Sequence, residues 1–328
     1  MKGTNDLHDR IHTSLKWYRS LTIAHLIPLD LLSGPDVETQ NYLFRKEDFK
    51  MATRYSMGWQ RDLPDIRDFT PEAEPIAKLF HKSRALKVTK AGPKKSVDLS
   101  NLCSPIEDQG DIGSCTANAG VGLLEYYENR AFGHHLDASR LFLYKVTRNL
   151  LHWTGDTGAW LRTTMKAMVL FGIPPEEYYP YITSSYDDEP NAFCYSYAQN
   201  YQSIKYYRLD RTTVSTTQIL ARLKNFLSAG YPAMFGFTVY NFGNSKGEFR
   251  FPGPFDSVKG GHAVVAVGYD DNRKIGKDKG AVKIRNSWGT GWGEGGYGWL
   301  PYSYIEAGLA EDFWSLFKSD YVDTGQFQ

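Results

Sequence analysis

Cys115 lies in the stretch QGDIGSCTANAG, where a glycine–serine turn runs into an alanine-rich segment. A thiol is a weak nucleophile until it loses its proton. The start of a helix favours the thiolate through unsatisfied N–H groups and the positive end of the dipole, and a nearby imidazolium favours it further. Gly113 and Ser114 are small enough to let a substrate backbone approach, and Ser114 is placed to cap the helix. Such a cysteine needs a base. Among the eight histidines, His262 stands out, because in KGGHAVVAVGYDDN it opens an apolar strand directly after a glycine pair. An imidazole there can face a cleft while the strand behind it is buried, although a lone histidine in that setting reads as structural. His134 and His135 follow a helix end and read as surface residues. His8, His12, His25 and His81 lie in the N-terminal region, and His152 stands near a glycine-rich turn. A base in turn needs an acceptor that fixes its tautomer, which a side-chain amide provides. Asn286, in IRNSWGTGWGEGGYGW, ends the strand after the histidine strand, so the two can meet across a hairpin with Trp288 covering their hydrogen bond.

These groups have to be brought together by a fold of two characters. Apolar periodicity predicts helices over 115–132, stopped by Gly133, over 139–151, and over 159–171, stopped by Gly172. After about residue 200 the pattern turns to strands: SIKYYRL, PAMFGFTV, HAVVAVGYD, AVKIRNS and GYGWLP, with one helix over 217–227. The polar stretch DDNRKIGKDKG reads as a hairpin loop. A helical half followed by a β half predicts an α+β protein of two lobes with a cleft between them. The first 95 or so residues are broken by prolines and charges. KSRALKVTKAGPKKS, residues 82–96, reads as a linker, which places a boundary near Lys95.

Several functions are excluded. The formal charge is +1 with no dense Lys/Arg run, so there is no case for nucleic acid. No apolar run approaches the length of a membrane span. SLTIAHLIPLDLLSG, residues 20–34, is the best candidate secretion signal, but with His25, Pro28 and Asp30 it reads as part of a folded N-terminal region, and the compartment stays open between cytoplasmic and secreted. Cys103, Cys115 and Cys194 allow one bridge at most, and the first and last lack metal-ligand spacing, so no metal site is expected. Gly291, Gly293 and Gly296 form a G-x-G-x-x-G, but no helix and no βαβ unit follow, so it does not read as a dinucleotide site.

In order and setting, these residues resemble the papain-like cysteine peptidases, the papain/cathepsin family. The resemblance spans about residues 97–315. It implies a papain-like two-lobe fold over 96–328, with a helical lobe at about 113–200 and an antiparallel, β-barrel-like lobe at about 201–315. It further implies that Gln109, six residues before Cys115, supplies the oxyanion hole, and that WTGDTGAW, with Asp156, Thr157 and Gly158, lines the substrate groove. GIPPEEYYPY resembles the stretch ahead of the second lobe. Thr116, Ile112 and Gly261 depart from the usual family residues at their positions. DQGDIGSCTANA, GYPAMFGFTVY and GWQRDLPDIRDF are similar to a prokaryotic branch that lacks the common disulfides. Protein or peptide substrates follow from the resemblance, with no cofactor, and residues 1–95 become a candidate pro-segment that inhibits in the same chain. A papain-fold acyltransferase or ligase, and a catalytically silent binding module, are the competing readings.

Overall fold

The computed structural model describes residues 55–82, 94–211, 213–241 and 246–318; the candidate signal at 20–34 and most of the linker lie outside them. The described chain opens with an extended stretch that leads into helix α1 (Glu74–Lys82). One face of α1 carries Ile76 and Phe80, four residues apart and buried, and the other carries an exposed Glu74–Lys78 pair at 2.5 Å. Phe80 meets the rings of Tyr207, Tyr231 and Phe317 edge-on. Residues 55–82 therefore share the core of the segment expected to start near residue 96.

Strand β1 (Ser96–Asp98) comes next, followed by helix α2 (Cys115–Phe132). Gly133 ends α2 in the left-handed region at φ 75° and donates its N–H to Asn129 O. Every residue from Cys115 to Glu128 is buried. Small side chains at Ala117, Ala119, Gly120 and Gly122 let neighbours approach closely, which is how a helix enclosed on all sides is accommodated. Helices α3 (Arg140–Leu151) and α4 (Leu161–Leu170) pack on one side of α2; α3 starts where the Ser139 hydroxyl accepts the Phe142 N–H at 3.1 Å. Helix α5 (Ala192–Ala198) completes this half.

The other side of α2 faces an antiparallel sheet. Its strands are β2 (Ser203–Arg208), β3 (Ala233–Tyr240), β4 (Val258–Ile275), β5 (Asp278–Arg285), β6 (Tyr297–Pro301) and β7 (Ala310–Lys318). They run in the order β2-β7-β3-β4-β5-β6, with β1 paired to β4. The sheet is open, since β2 and β6 end the path and do not pair, so the barrel-like lobe stops short of closure. Helix α6 (Thr216–Ser228) begins at a capping box of Ser215 and Gln218, and α7 (Tyr302–Glu306) is a short helix before β7.

Two segments differ from their reading in the sequence. The polar stretch at 270–280 is mostly strand: β4 and β5 stay paired through Lys274↔Lys279 and Ile275↔Asp278. The turn shrinks to Gly276 and Lys277, with Gly276 at φ 58°, and Arg273 is held by Glu248 and Glu294. Polar side chains here occupy an exposed ribbon, where charge does not oppose strand pairing. The second is β7, which the sequence pattern did not mark because Glu311 and Asp312 stand at the head of its apolar run.

Candidate active site

Cys115 is the first residue of α2 and is fully buried. The turn before it is held from two directions. Asp156 accepts the Gly113 N–H at 2.8 Å and the Tyr144 hydroxyl at 2.5 Å, so its carboxylate is engaged beneath the groove rather than presented in it. Ser114 does not cap the helix: its backbone sits at φ −87°, ψ 13°, outside the extended region a cap requires, and its hydroxyl meets Tyr181 Oη at 2.6 Å. Tyr181 also donates to Gln109 O at 2.9 Å, tying the loop before the cysteine to the turn beside it.

His262 lies on β4 opposite Phe237 of β3. Pairing of β4 with β5, Val265 against Arg285, brings Asn286 just past the strand end to the imidazole, with Nε2 and Asn286 Oδ1 2.7 Å apart. The same Oδ1 accepts the Ser287 N–H at 2.8 Å, which fixes the amide's orientation. An oxygen there requires Nε2 to carry the proton, so in neutral imidazole Nδ1 keeps its lone pair. Nδ1 is buried and has no hydrogen-bond partner. Trp288 stacks on the ring at 4.6 Å between centroids and 26° between planes, and Phe237 meets it edge-on at 5.9 Å. Gln109 is held by its acceptor end, since Ser287 Oγ donates to Oε1 at 2.7 Å. Its amide N–H groups point to Ile112 O and Ser56 O, each at 3.0 Å.

The Ser56 contact introduces a group the sequence reading missed. The stretch YSMGWQ, residues 55–60, runs over the site. Tyr55 stacks on Trp288 at 5.2 Å and donates its hydroxyl to Trp288 O at 2.9 Å. The backbone of Gly58 passes so close to Gly113 that a Cβ on Gly58 would lie 1.7 Å from Gly113 O. Ala159 N–H donates to Gly58 O at 2.8 Å, Trp59 N–H to Gly261 O at 2.9 Å, and Gln60 N–H to Ala159 O at 3.1 Å. Gly158, left-handed at φ 72°, donates its N–H to the Tyr144 hydroxyl at 3.1 Å. Thr157 accepts the Gln60 amide at 3.2 Å and borders a cavity of about 440 Å³ with Trp153 and His152. Only the tryptophan and glycine of YSMGWQ hint at this role, and neither has periodicity or spacing to mark it.

Under this cover burial opposes charge on both ionisable groups. Burial pushes the Cys115 thiol up to about 11, opposed by the N–H groups of Ala263 and Gly58 beside the sulfur. Burial likewise lowers His262 to about 4, against the supporting bond from Asn286. Burial therefore works against the thiolate–imidazolium pair expected from the sequence while residues 55–60 cover it. Cys103 and Cys194 are also free thiols, and no cluster of metal-ligating side chains occurs among the described residues.

Comparison with known proteins places this geometry. Residues 94–315 match the model of the papain family of cysteine proteases. An uncharacterized peptidase C1-like protein of Acanthamoeba polyphaga mimivirus is 35% identical over 232 residues, covering 68% of this chain and 72% of its own. Cathepsin K of Gallus gallus is 31% identical over 201 residues, 59% of this chain and 54% of its own. The crystal structure of xylellain, a cysteine protease from Xylella fastidiosa, superposes with a TM-score of 0.64 at 33% identity, covering 80% of this chain and 96% of that one. The chain belongs to the papain family and is a cysteine peptidase.

Proposed function

We propose that Cys115 and His262 carry out peptide hydrolysis and that the described form is latent, with residues 55–60 lying in the substrate groove. The observation that carries this reading is that a peptide backbone already lies at the thiol with one carbonyl oxygen, that of Ser56, on the Gln109 amide. In the open enzyme the Cys115 proton passes to His262 Nδ1 and the sulfur attacks the scissile carbonyl carbon. The oxyanion takes hydrogen bonds from Gln109 Nε2 and from the Cys115 N–H at the helix start. When the tetrahedral species collapses, His262 protonates the leaving amine and a thioester remains. Water, deprotonated by the same nitrogen, hydrolyses the thioester and restores the thiol. Asn286 keeps the proton on Nε2 throughout, so Nδ1 is the nitrogen that exchanges it, and Trp288 shields that bond from water.

In the latent form the Gly58 N–H lies beside the sulfur as a donor. Two measurements on the full chain test the reading: intact-mass labelling with iodoacetamide, and cleavage of a denatured protein substrate, each before and after limited proteolysis and beside Cys115→Ala. Slow labelling that accelerates on proteolysis together with substrate cleavage, both absent in Cys115→Ala, is the expected result. A full chain that labels and cleaves at full rate before proteolysis would end the latency proposal, and cleavage that survives in Cys115→Ala would end the mechanism.

A further inference from the structure

Tyr181 closes the stretch GIPPEEYYPY and takes no part in the hydrolysis itself. Its segment is fixed from behind, where the Ser139 hydroxyl that caps α3 also donates to Tyr179 O at 2.6 Å. Its ring lies beneath the Arg140 guanidinium, whose Cζ is 4.0 Å from the ring centroid. Glu107 at 2.8 Å and Glu176 at 2.7 Å hold that guanidinium against the ring. The hydroxyl enters a chain of hydrogen bonds whose direction has one solution. Gln109 O can only accept, so Tyr181 donates its proton there, at 2.9 Å. Ser114 must then donate to the Tyr181 oxygen, at 2.6 Å, and the Ser114 oxygen accepts the Asn118 amide N–H at 3.0 Å. Asn118 Nδ2 also donates to Ser114 O at 3.1 Å. Burial pushes the Tyr181 hydroxyl up to about 12, so the donated proton stays in place at neutral pH.

We infer that Tyr181 is a positioning residue for the peptidase reaction, setting the spacing of the two oxyanion donors, Gln109 Nε2 and the Cys115 N–H. The inference rests on the peptidase reading above. The two donors belong to different pieces of chain, a loop at 109 and the start of α2. Ser114 directly precedes Cys115 and Asn118 lies in the first turn of α2, so the chain of bonds starts on the helix and ends on the Gln109 backbone. Ile112 O also holds Gln109, but through Nε2, the nitrogen that must serve the oxyanion. Ser287 holds it from the segment that carries Asn286, through the Gln109 N–H at 2.8 Å and through Oε1. Tyr181 is thus the strut that ties the loop to the helix without occupying a catalytic donor. A shift of one donor against the other weakens their joint grip on the oxyanion and leaves ground-state binding alone.

Tyr181→Phe keeps the ring and its contact with Arg140 and removes only the hydroxyl. The full chain, Tyr181→Phe, Gln109→Ala and the double variant are each opened by limited proteolysis. Hydrolysis of fluorescein-labelled casein gives kcat and KM. Iodoacetamide gives the alkylation rate of Cys115, a displacement that forms no oxyanion. Tyr181→Phe should lower kcat roughly 3- to 10-fold, the worth of one neutral hydrogen bond, and leave KM and alkylation within about twofold of the natural chain. With Gln109→Ala already present, the same change should move kcat by less than about twofold, because no amide remains to be positioned. A full effect in both backgrounds would show that Tyr181 does not act through Gln109 and overturns the proposal. An unchanged kcat in Tyr181→Phe overturns it as well. Alkylation that falls in step with kcat would assign Tyr181 to the thiol or to the fold, and overturns it too. An opened natural chain that alkylates quickly but cleaves no casein removes the peptidase reading, and the proposal with it.

Discussion

Gln109 is held at both ends: Ser287 Oγ fixes its oxygen, and its nitrogen donates to Ile112 O and to Ser56 O. Replacing it with alanine should lower kcat/KM of the proteolysed enzyme roughly 10²–10³-fold, by analogy with loss of a donor from a serine protease oxyanion hole, and mainly through kcat. Peptide hydrolysis kinetics would check this; a fall in affinity alone would mean that the amide only binds. The raised thiol makes a second prediction. With Cys115 at about 11, its thiolate fraction in the latent chain rises about tenfold per pH unit from pH 7 to 10. Iodoacetamide labelling should climb with that slope and show no plateau below pH 10, and it should level off at lower pH once the groove is opened. The meeting of His262 with Asn286 across the hairpin was legible because an imidazole needs an acceptor and a side-chain amide is one. Gln109 was legible only through resemblance. The run of residues 55–60 over the site was not legible at all, because a glycine-to-glycine approach and main-chain hydrogen bonds between distant segments leave no trace in local spacing.

Among the elements, the helices of the first half follow their sequence pattern closely. The Gly133 stop and the Ser139 cap are local signals that need no tertiary help. The strands were found where apolar and β-branched residues run unbroken between turn signals, as in β3, and β7 was missed because Glu311 and Asp312 stand at the head of its apolar run. Helix α1 was missed for a different reason: it is short, and most of its stability comes from Ile76 and Phe80 entering a core built by other elements. Phe80→Ala should therefore cost about 3–5 kcal/mol, read from the urea midpoint of the full chain. A loss under 1 kcal/mol would mean that α1 is an ornament on the fold and not part of its core. The extended stretch ahead of α1 has its own anchors, since Arg162 of α4 holds Asp68 at 2.7 Å and also holds Asp62.

For the whole molecule, burial of His262 under residues 55–60 makes the stability of the closed form depend on pH. His262 is buried neutral with its value lowered from 6.5 to about 4, so between those pH values the unfolded chain binds a proton that the closed form does not. Stability of the closed form is therefore complete above pH 6.5 and falls as pH drops towards 4, by at most about 3 kcal/mol. The groove can relieve this by opening rather than by unfolding, because residues 55–60 cover the imidazole through a handful of contacts. Iodoacetamide labelling and thermal unfolding, followed together from pH 7 to 4.5, separate the two. A drop in Tm with faster labelling at temperatures well below it is the expected pattern; a Tm independent of pH would show that His262 is not held neutral.

Many of the bonds that hold residues 56–60 over the site come from the backbone: the carbonyl of Ser56, both peptide groups of Gly58, and the N–H groups of Trp59 and Gln60. They are joined by side-chain bonds from Ser56 to Asp111 O, from the Trp59 indole to Asp312 and from Gln60 to Thr157 O. Main-chain groups are the same in every sequence. The main-chain part of that grip therefore survives mutation at Met57, while any side chain at Gly58 would collide with Gly113 O. Since these bonds are made within one chain, they also act at an effective concentration that a free peptide reaches only in the millimolar range. A cut in the linker after α1 would not dilute that advantage away, because Phe80, Ile76 and Asp68 would keep the severed piece seated. On the latent reading proposed above, a cut between Gln60 and α1 should raise iodoacetamide labelling of Cys115, whereas a cut after α1 should leave it slow.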